Sequence, residues 1–595
     1  MIKERLARLR DLMQQNSVQA YIIPSTDPHQ SEYVPALWQR RPFISGFTGS
    51  AGDVVVTKEL AGLWTDSRYF LQAEQQLDSE VLTLFRVGLP DVPSFEDWLV
   101  STLAKGDAVG LDPRLTSYNG YKKLAARLAE RGIELAPVDQ NLVDAIWDER
   151  PAPPSAAVAP QEIRYAGESL EDKLNRLREK MAAEDTAAHV LTTLDAIAWL
   201  FNIRGQDVDF NPVVIAHAIV DATSATLYID PSKIDDGLSS HLGSAVRLQP
   251  YHDFQDGLRG LAKAGSRVWL DPATCNQWVV EQLSPGAELF FKASPVTLFK
   301  AIKNDVEIQG FRDAHVRDGV AMVRFFKWLN ENVSGGEVTE LSIDAKLAEI
   351  RGSLELSRGA SFATIAGYEG HGAIIHYSAT PESSSTVKPK GILLVDSGGQ
   401  YLDGTTDITR TVALRTPTVE QKDRFTRVLK GLIRITLQPF PQGTAGRQID
   451  SLARLPLWEV GLNFGHGVGH GIGSYLNVHE GPQSISFYRC TGVSLEPGMV
   501  TSIEPGFYKE GEYGIRTENL AVVREAPEVT SGETAFRRFE TLTLCPIDLL
   551  LVDRSLLASD EIAWLNDYHR EVRDALSPHL EPDEVAWLKS ATKAI

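Results

Sequence analysis

The chain has 595 residues, 43% hydrophobic and 23% charged, with a net charge of −20 and a pI near 5.2. That balance suits several globular domains and excludes a largely disordered chain. It also argues against a nucleic-acid binder, which needs a basic footprint against phosphate.

The N-terminal run MIKERLARLRDLM is charged and amphipathic and lacks the apolar core of a signal peptide. No stretch approaches the ~20 apolar residues that span a bilayer. The C-terminal WLKSATKAI has no hydrophobic tail of the kind that directs a lipid anchor. No membrane association is expected, and the cytoplasm is the expected location. Three cysteines, Cys275, Cys490 and Cys545, lie far apart without a CxxC pair. They read as buried structural thiols in a reducing compartment.

Leu6, Leu9 and Met13 give the first segment a helical period. Leu174, Leu177 and Met181 repeat it. A strand-like run then ends at Asp27 in the first copy and Asp195 in the second. Both comparisons give one offset: 174 less 6 and 195 less 27 are each 168. LWTD (63–66) echoes LYID (227–230) after a longer insert in the first copy. Two related domains, each a helix followed by mixed sheet, are predicted. In the first, Asp66 with Arg68, and Arg40 with Arg41, read as structural ion pairs. RPAPPSAAVAP (150–160) marks a semi-rigid linker. From Lys303 a long helical pattern runs to Gly335-Gly336. The domains are placed at 1–155, 156–300 and 301–595, in an α/β (α+β) fold class.

The third domain carries the chemistry. Ile392 to Val395 form an apolar strand ending at Asp396, and Thr405 to Val412 alternate as a strand bearing Asp407. Neighbouring strands bring the two carboxylates together, and a cation is a physical reason to place like charges so. FGHGVGHGIGSYLNVHEGP supplies His466, His470 and His479 among glycines that let backbone approach closely. MVTSIEPGFY is a strand delivering Glu504 to a turn. YGIRTENLAVV is a strand on which Arg516 and Glu518 share a face. His376 closes an apolar strand in GAIIHYSAT. Taken singly, an Asp at a strand end is ordinarily a turn residue and a His a satisfied one. Together, four carboxylates and one imidazole form a hard, oxygen-rich set for two divalent ions. Such a set suits Mn2+ first, with Co2+, Mg2+ or Zn2+ as alternatives.

Asp396, Asp407, His470, Glu504 and Glu518 resemble, in order and context, the five metal ligands of the "pita-bread" metallopeptidase family. That family includes methionine aminopeptidase, prolidase and aminopeptidase P. The chain most resembles the long, three-domain cytosolic aminopeptidase P type. The motifs HQSEYVP, SGFTGSAG, WTDSRYF, NLVDAIW, WLFNIRG, DGTTDITRT, LNVHEGP and WLNDYH extend the resemblance over essentially the whole chain. It implies two creatinase-like domains followed by a pita-bread catalytic domain with a C-terminal extension. It also implies that Asp396 binds one ion, Asp407 and Glu518 bridge, and His470 and Glu504 complete the second. His376, His466 and His479 match substrate-site positions, and Tyr508 and Arg516 match supports beside the ligands. Ser502-Ile503 before Glu504 and Thr517 before Glu518 depart slightly from the family pattern; neither removes a ligand.

The implied reaction is hydrolysis of an N-terminal Xaa-Pro bond in peptides with proline at position two. Glu504 serves as general base, and His376, His466 and His479 hold the peptide. A homodimer is implied by the same resemblance. The alternatives are an Xaa-Pro dipeptidase of the prolidase type and a non-catalytic peptide-binding relative.

Overall fold

In the computed structural model, which describes residues 1–488, 491–529 and 532–595, Leu6, Leu9 and Met13 are buried along helix Ile2–Gln15. Leu174, Leu177 and Met181 are buried along helix Leu170–Ala183. Burying each such side chain contributes about 1.5–3 kcal/mol, so the repeated period has an energetic cause. Each helix precedes a strand, Ala20–Ile23 and Ala188–Leu191. Each strand lies fourth in a six-stranded sheet of identical order. The first runs Thr83–Arg86, Ala61–Thr65, Asp53–Thr57, Ala20–Ile23, Ala108–Leu111, Glu134–Pro137. The second runs Val246–Pro250, Ala225–Ile229, Ala216–Asp221, Ala188–Leu191, Arg267–Leu270, Glu288–Phe291. In both, the third strand pairs antiparallel with its two neighbours and the outer pairs are parallel.

These sheets lie in one compact unit, residues 1–161 with 168–297; the other unit is 162–167 with 298–595. The linker prolines are not wholly irregular: Ala159–Pro160 pairs with Ile203–Arg204. Arg68 pairs with Asp66 at 2.7 Å and Arg40 with Asp144 at 2.6 Å. Arg41 differs from expectation. Among the described residues it forms no ion pair at contact distance; it lies in the field of Asp53 and donates to the carbonyls of Gly49 and Gly52.

The second unit opens on helix Asp305–Asn332. Asn304 accepts from the backbone amides of Val306 and Glu307, and Glu307 reaches back to the Asn304 amide. This reciprocal cap is worth roughly 1 kcal/mol. Sheet Ile365–Tyr368, Ile392–Ser397, Ile408–Ala413 lies in this unit, with the larger sheet Phe440–Pro441, Phe536–Thr541, Asn519–Glu525, Val500–Ile503, Gly469–Gly471, Glu480–Ile485. Helices Val419–Leu437, Asp450–Trp458 and Ser559–Leu576 contribute to a core that includes Phe425, Leu429, Leu457, Val468, Ile503 and Leu565.

Three local expectations are corrected. Asp407 precedes strand Ile408–Ala413 instead of lying within a strand from Thr405. The predicted strand over 513–523 is broken into Tyr513–Arg516 and Asn519–Glu525, with Glu518 in the break. His376 follows a short 3₁₀ turn, Glu369–Ala373, and not a strand; Tyr377 N donates to Ile374 O and curls the chain there. At Asp407 and Glu518 the backbone leaves the ladder where a buried carboxylate turns inward.

Cys275 and Cys545 are buried free thiols, and Cys490 lies outside the described residues. Among the described residues no helix is long and apolar enough to cross a membrane.

Candidate metal centre

Strand Ile392–Ser397 pairs with Ile408–Ala413, with Asp396 opposite Thr409 and Ser397 opposite Ile408. This register sets Asp396 and Asp407 at the same end of the sheet. Strand Val500–Ile503 pairs with Asn519–Glu525, Ile503 opposite Asn519, so Glu504 and Glu518 leave adjacent strand ends. Glu518 N donates to Thr409 O at 3.1 Å, joining the two sheets at the site.

His470 sits on Gly469–Gly471. A Cβ at Gly469 would collide with the Ser502 carbonyl, and one at Gly471 with that of Glu480. Only glycine permits that approach. The His470 Nδ1–H donates to Gly471 O at 3.0 Å, which leaves Nε2 with its lone pair. Nε2 lies 3.5 Å from Asp407 Oδ2 and 3.6 Å from Glu504 Oε1. Ligand atoms of Asp407, His470 and Glu518 lie within 4.8 Å of one another.

The electrostatics are those of crowded buried acids. Burial, then Glu518 and Asp396, push Asp407 well above the usual carboxylate range. Burial and Glu518 do the same to Glu504. Burial and Asp396 push Glu518 up to about 8. Asp396 Oδ1 and Glu518 Oε1 are buried with no hydrogen-bond partner. Four carboxylates and an imidazole lone pair fit divalent cations, and the unpartnered Asp396 Oδ1 and Glu518 Oε1 are donor atoms that protein groups leave uncompensated.

Arg516 is the cation that pairs with Asp396. Its guanidinium donates to Asp396 Oδ2 at 2.6 Å, Thr409 Oγ1 at 3.1 Å and the Tyr508 hydroxyl at 2.7 Å. The Tyr508 hydroxyl meets His466 Nε2 at 2.8 Å, while His466 Nδ1–H donates to Gly467 O at 2.7 Å. Arg516, Tyr508 and His466 thus form one hydrogen-bonded row, and both His466 nitrogens are engaged. The His479 ring stands 4.3 Å from that of His470, edge to face. His376 follows Ile375, whose carbonyl accepts from Arg516 at 3.4 Å. All ten residues singled out in the sequence therefore lie on segments that meet here.

Sequence reasoning missed several supports. Thr409 donates to Glu518 Oε2 at 2.8 Å, and Thr411 exchanges hydrogen bonds with the Arg516 backbone at 3.0 and 3.1 Å. The signal was present: 407, 409 and 411 share one face by the period of two. Ser502 Oγ accepts from His470 N at 3.0 Å and lies 3.4 Å from Glu504 Oε1, which gives that departure from the family pattern a use. Glu480, beside His479, is buried between Lys303 at 2.6 Å and Lys300 at 3.0 Å.

Comparison with known proteins matches the whole chain. Residues 5–146 and 149–307 each match a creatinase/prolidase N-terminal domain, 309–525 the metallopeptidase family M24, and 535–595 the C-terminal region of that peptidase. A probable Xaa-Pro aminopeptidase P of Coprinopsis cinerea is 44% identical, over all of this chain and 98% of that one. Aminopeptidase P2 of Arabidopsis thaliana is 42% identical, over all of this chain and 89% of its own length. The crystal structure of X-prolyl aminopeptidase from Caenorhabditis elegans, described as a cytosolic enzyme with a di-nuclear active site, superposes with a TM-score of 0.97 at 38% identity. It covers all of both chains. With matches running from end to end, the chain belongs to the aminopeptidase P branch of metallopeptidase family M24.

Proposed function

We propose that this chain is a metal-dependent aminopeptidase that hydrolyses the N-terminal Xaa-Pro bond of peptides and releases the first residue. The observation that carries the reading is the convergence of the buried Asp396, Asp407 and Glu518 and the half-buried Glu504 with the His470 lone pair, two carboxylate oxygens being left unpartnered. Asp396, Asp407, His470, Glu504 and Glu518 would hold two divalent ions. Mn2+ matches the mainly oxygen donors best, and Co2+, Mg2+ and Zn2+ are accepted by the same set. When bound, such ions supply Lewis acidity that polarises a carbonyl and makes water more acidic.

The chain's own groups do the rest. Glu504 takes the proton of the attacking water at its carboxylate and passes it to the departing proline nitrogen. Arg516 holds Asp396, and through Tyr508 it holds His466. His479 and His376 take the direct peptide contacts, while His466, with both nitrogens engaged, offers its ring. An Xaa-Pro bond has no N–H, so a site that selects it fits a rigid ring and leaves no acceptor waiting for a donor. The reading includes a homodimer in the cytoplasm.

The test is cleavage of Arg-Pro-Pro and Arg-Ala-Pro by the manganese-loaded enzyme. The proline peptide is expected to be cut between Arg and Pro about 100-fold faster, because the ring fixes the scissile bond in place. Acetyl-Arg-Pro-Pro should be inert. Equal kcat/KM on the two tripeptides would overturn the specificity. Activity on Arg-Pro but not Arg-Pro-Pro would make the enzyme a dipeptidase.

A further inference from the structure

Arg410 is one of the most deeply buried side chains in the second unit, and none of its hydrogen bonds goes to a carboxylate. Its Nε donates to Pro546 O at 3.0 Å. Nη1 donates to the carbonyls of Thr409 at 3.0 Å and Glu518 at 2.5 Å. Nη2 donates to Asn519 Oδ1 at 2.8 Å, Cys545 O at 2.9 Å and the Tyr568 hydroxyl at 2.9 Å. A buried cation is costly unless its donors are satisfied, and here six neutral oxygens satisfy them.

The six oxygens divide evenly by origin. Three belong to the segments that carry metal-centre carboxylates: Thr409, Glu518 and Asn519. Three belong to the C-terminal segment: Cys545, Pro546 and Tyr568. Tyr568 is itself fixed. Its hydroxyl accepts from Cys545 N at 3.2 Å and lies 2.9 Å from Cys545 O and 3.0 Å from Thr543 O. Its ring stacks on Trp564 of the same helix, Ser559–Leu576, at 5.1 Å. The guanidinium is planar, with its donors in a rigid fork, so fixing one edge fixes the other. The far edge grips the backbone of Glu518, and Thr409, also gripped, donates its hydroxyl to the Glu518 carboxylate.

We propose that Tyr568 is a positioning residue for the metal centre: acting through Arg410, it holds the Glu518 backbone, so the C-terminal segment sets how tightly the centre binds metal. This rests on the metal-centre reading above. Groups that orient metal ligands through a second layer of hydrogen bonds change affinity when lost, typically about 10–100-fold.

The experiment uses the full chain, stripped by chelation and titrated with Mn2+ against a fluorescent chelator. Tyr568→Phe keeps the ring and its stacking but loses the hydroxyl. It is expected to weaken Mn2+ binding about 10-fold or more, with an unchanged circular dichroism spectrum. Leu565→Ala loosens the same helix from its core face and makes no hydrogen bond to Arg410. It should lower thermal stability more and shift Mn2+ affinity less than twofold. Affinity of Tyr568→Phe within twofold of wild type would overturn the proposal. So would equal weakening in both variants, which would reduce Tyr568 to a packing role. A wild-type chain that binds no Mn2+ would overturn the metal-centre reading and this proposal with it, and that arm is read first.

Discussion

Glu504 is asked to do two things, ligate and carry a proton, and one atom swap separates them. Glu504→Gln is nearly isosteric but cannot accept the proton. It should lower kcat by about 10²–10⁴-fold on Arg-Pro-Pro. Calorimetry on the chelated protein should show no loss of stability, because the swap removes a buried charge crowded by Glu518 and Asp396. Near-normal turnover would remove Glu504 from its assigned role. His470→Ala should act through occupancy instead: bound metal falls, and excess Mn2+ partly restores activity. These ligands were legible because each sits in its own distinctive motif. Thr409 shared the face of Asp407 by the period of two, but the partners of Ser502 and Arg410 were not legible, since a serine or an arginine in a strand carries no mark of what it will touch.

At the scale of elements, the repeated helices and strands were readable because hydrophobic period follows directly from what must be buried. The strand interruptions at Asp407 and Glu518 were not, because β-propensity continues across both. The second six-stranded sheet adds a consequence for pH. His189, on strand Ala188–Leu191, is buried between Trp269 O at 3.0 Å and Ser294 Oγ at 2.9 Å. Burial pushes its pKa down to about 4 from an ordinary 6.5. His217 on the neighbouring strand is pushed down for the same reason. The folded chain refuses a proton that the unfolded chain accepts. Stability is therefore fully present above pH 6.5 and falls progressively as the pH drops toward 4. For His189 alone the loss is about 3 kcal/mol. Urea unfolding followed by tryptophan fluorescence at pH 7 and pH 5 should show it. His189→Gln, which keeps a hydrogen-bonding side chain but does not titrate, should shrink the difference by His189's share and leave that of His217. An unchanged difference would place the acid sensitivity elsewhere.

For the whole molecule, the proposed homodimer predicts a mass of twice 65.5 kDa by light scattering at micromolar concentration; a result of 65.5 kDa would count against it. The order of domains was readable from composition and repeat. The path of the chain between the units was not, because nothing in residues 162–167 announces their destination. That path has a consequence for how the protein can be divided. The chain enters the second unit at Glu162, leaves after Gly167, and returns only at Leu298. On that brief visit Ala166 offers its carbonyl to Asn304 Nδ2 at 2.8 Å, the residue that caps the long helix Asp305–Asn332. The peptidase half is therefore not a cassette that one cut can release. A gene fragment beginning at 298 would lack six residues of its own body, and a recombinant boundary drawn by linear homology alone would miss them.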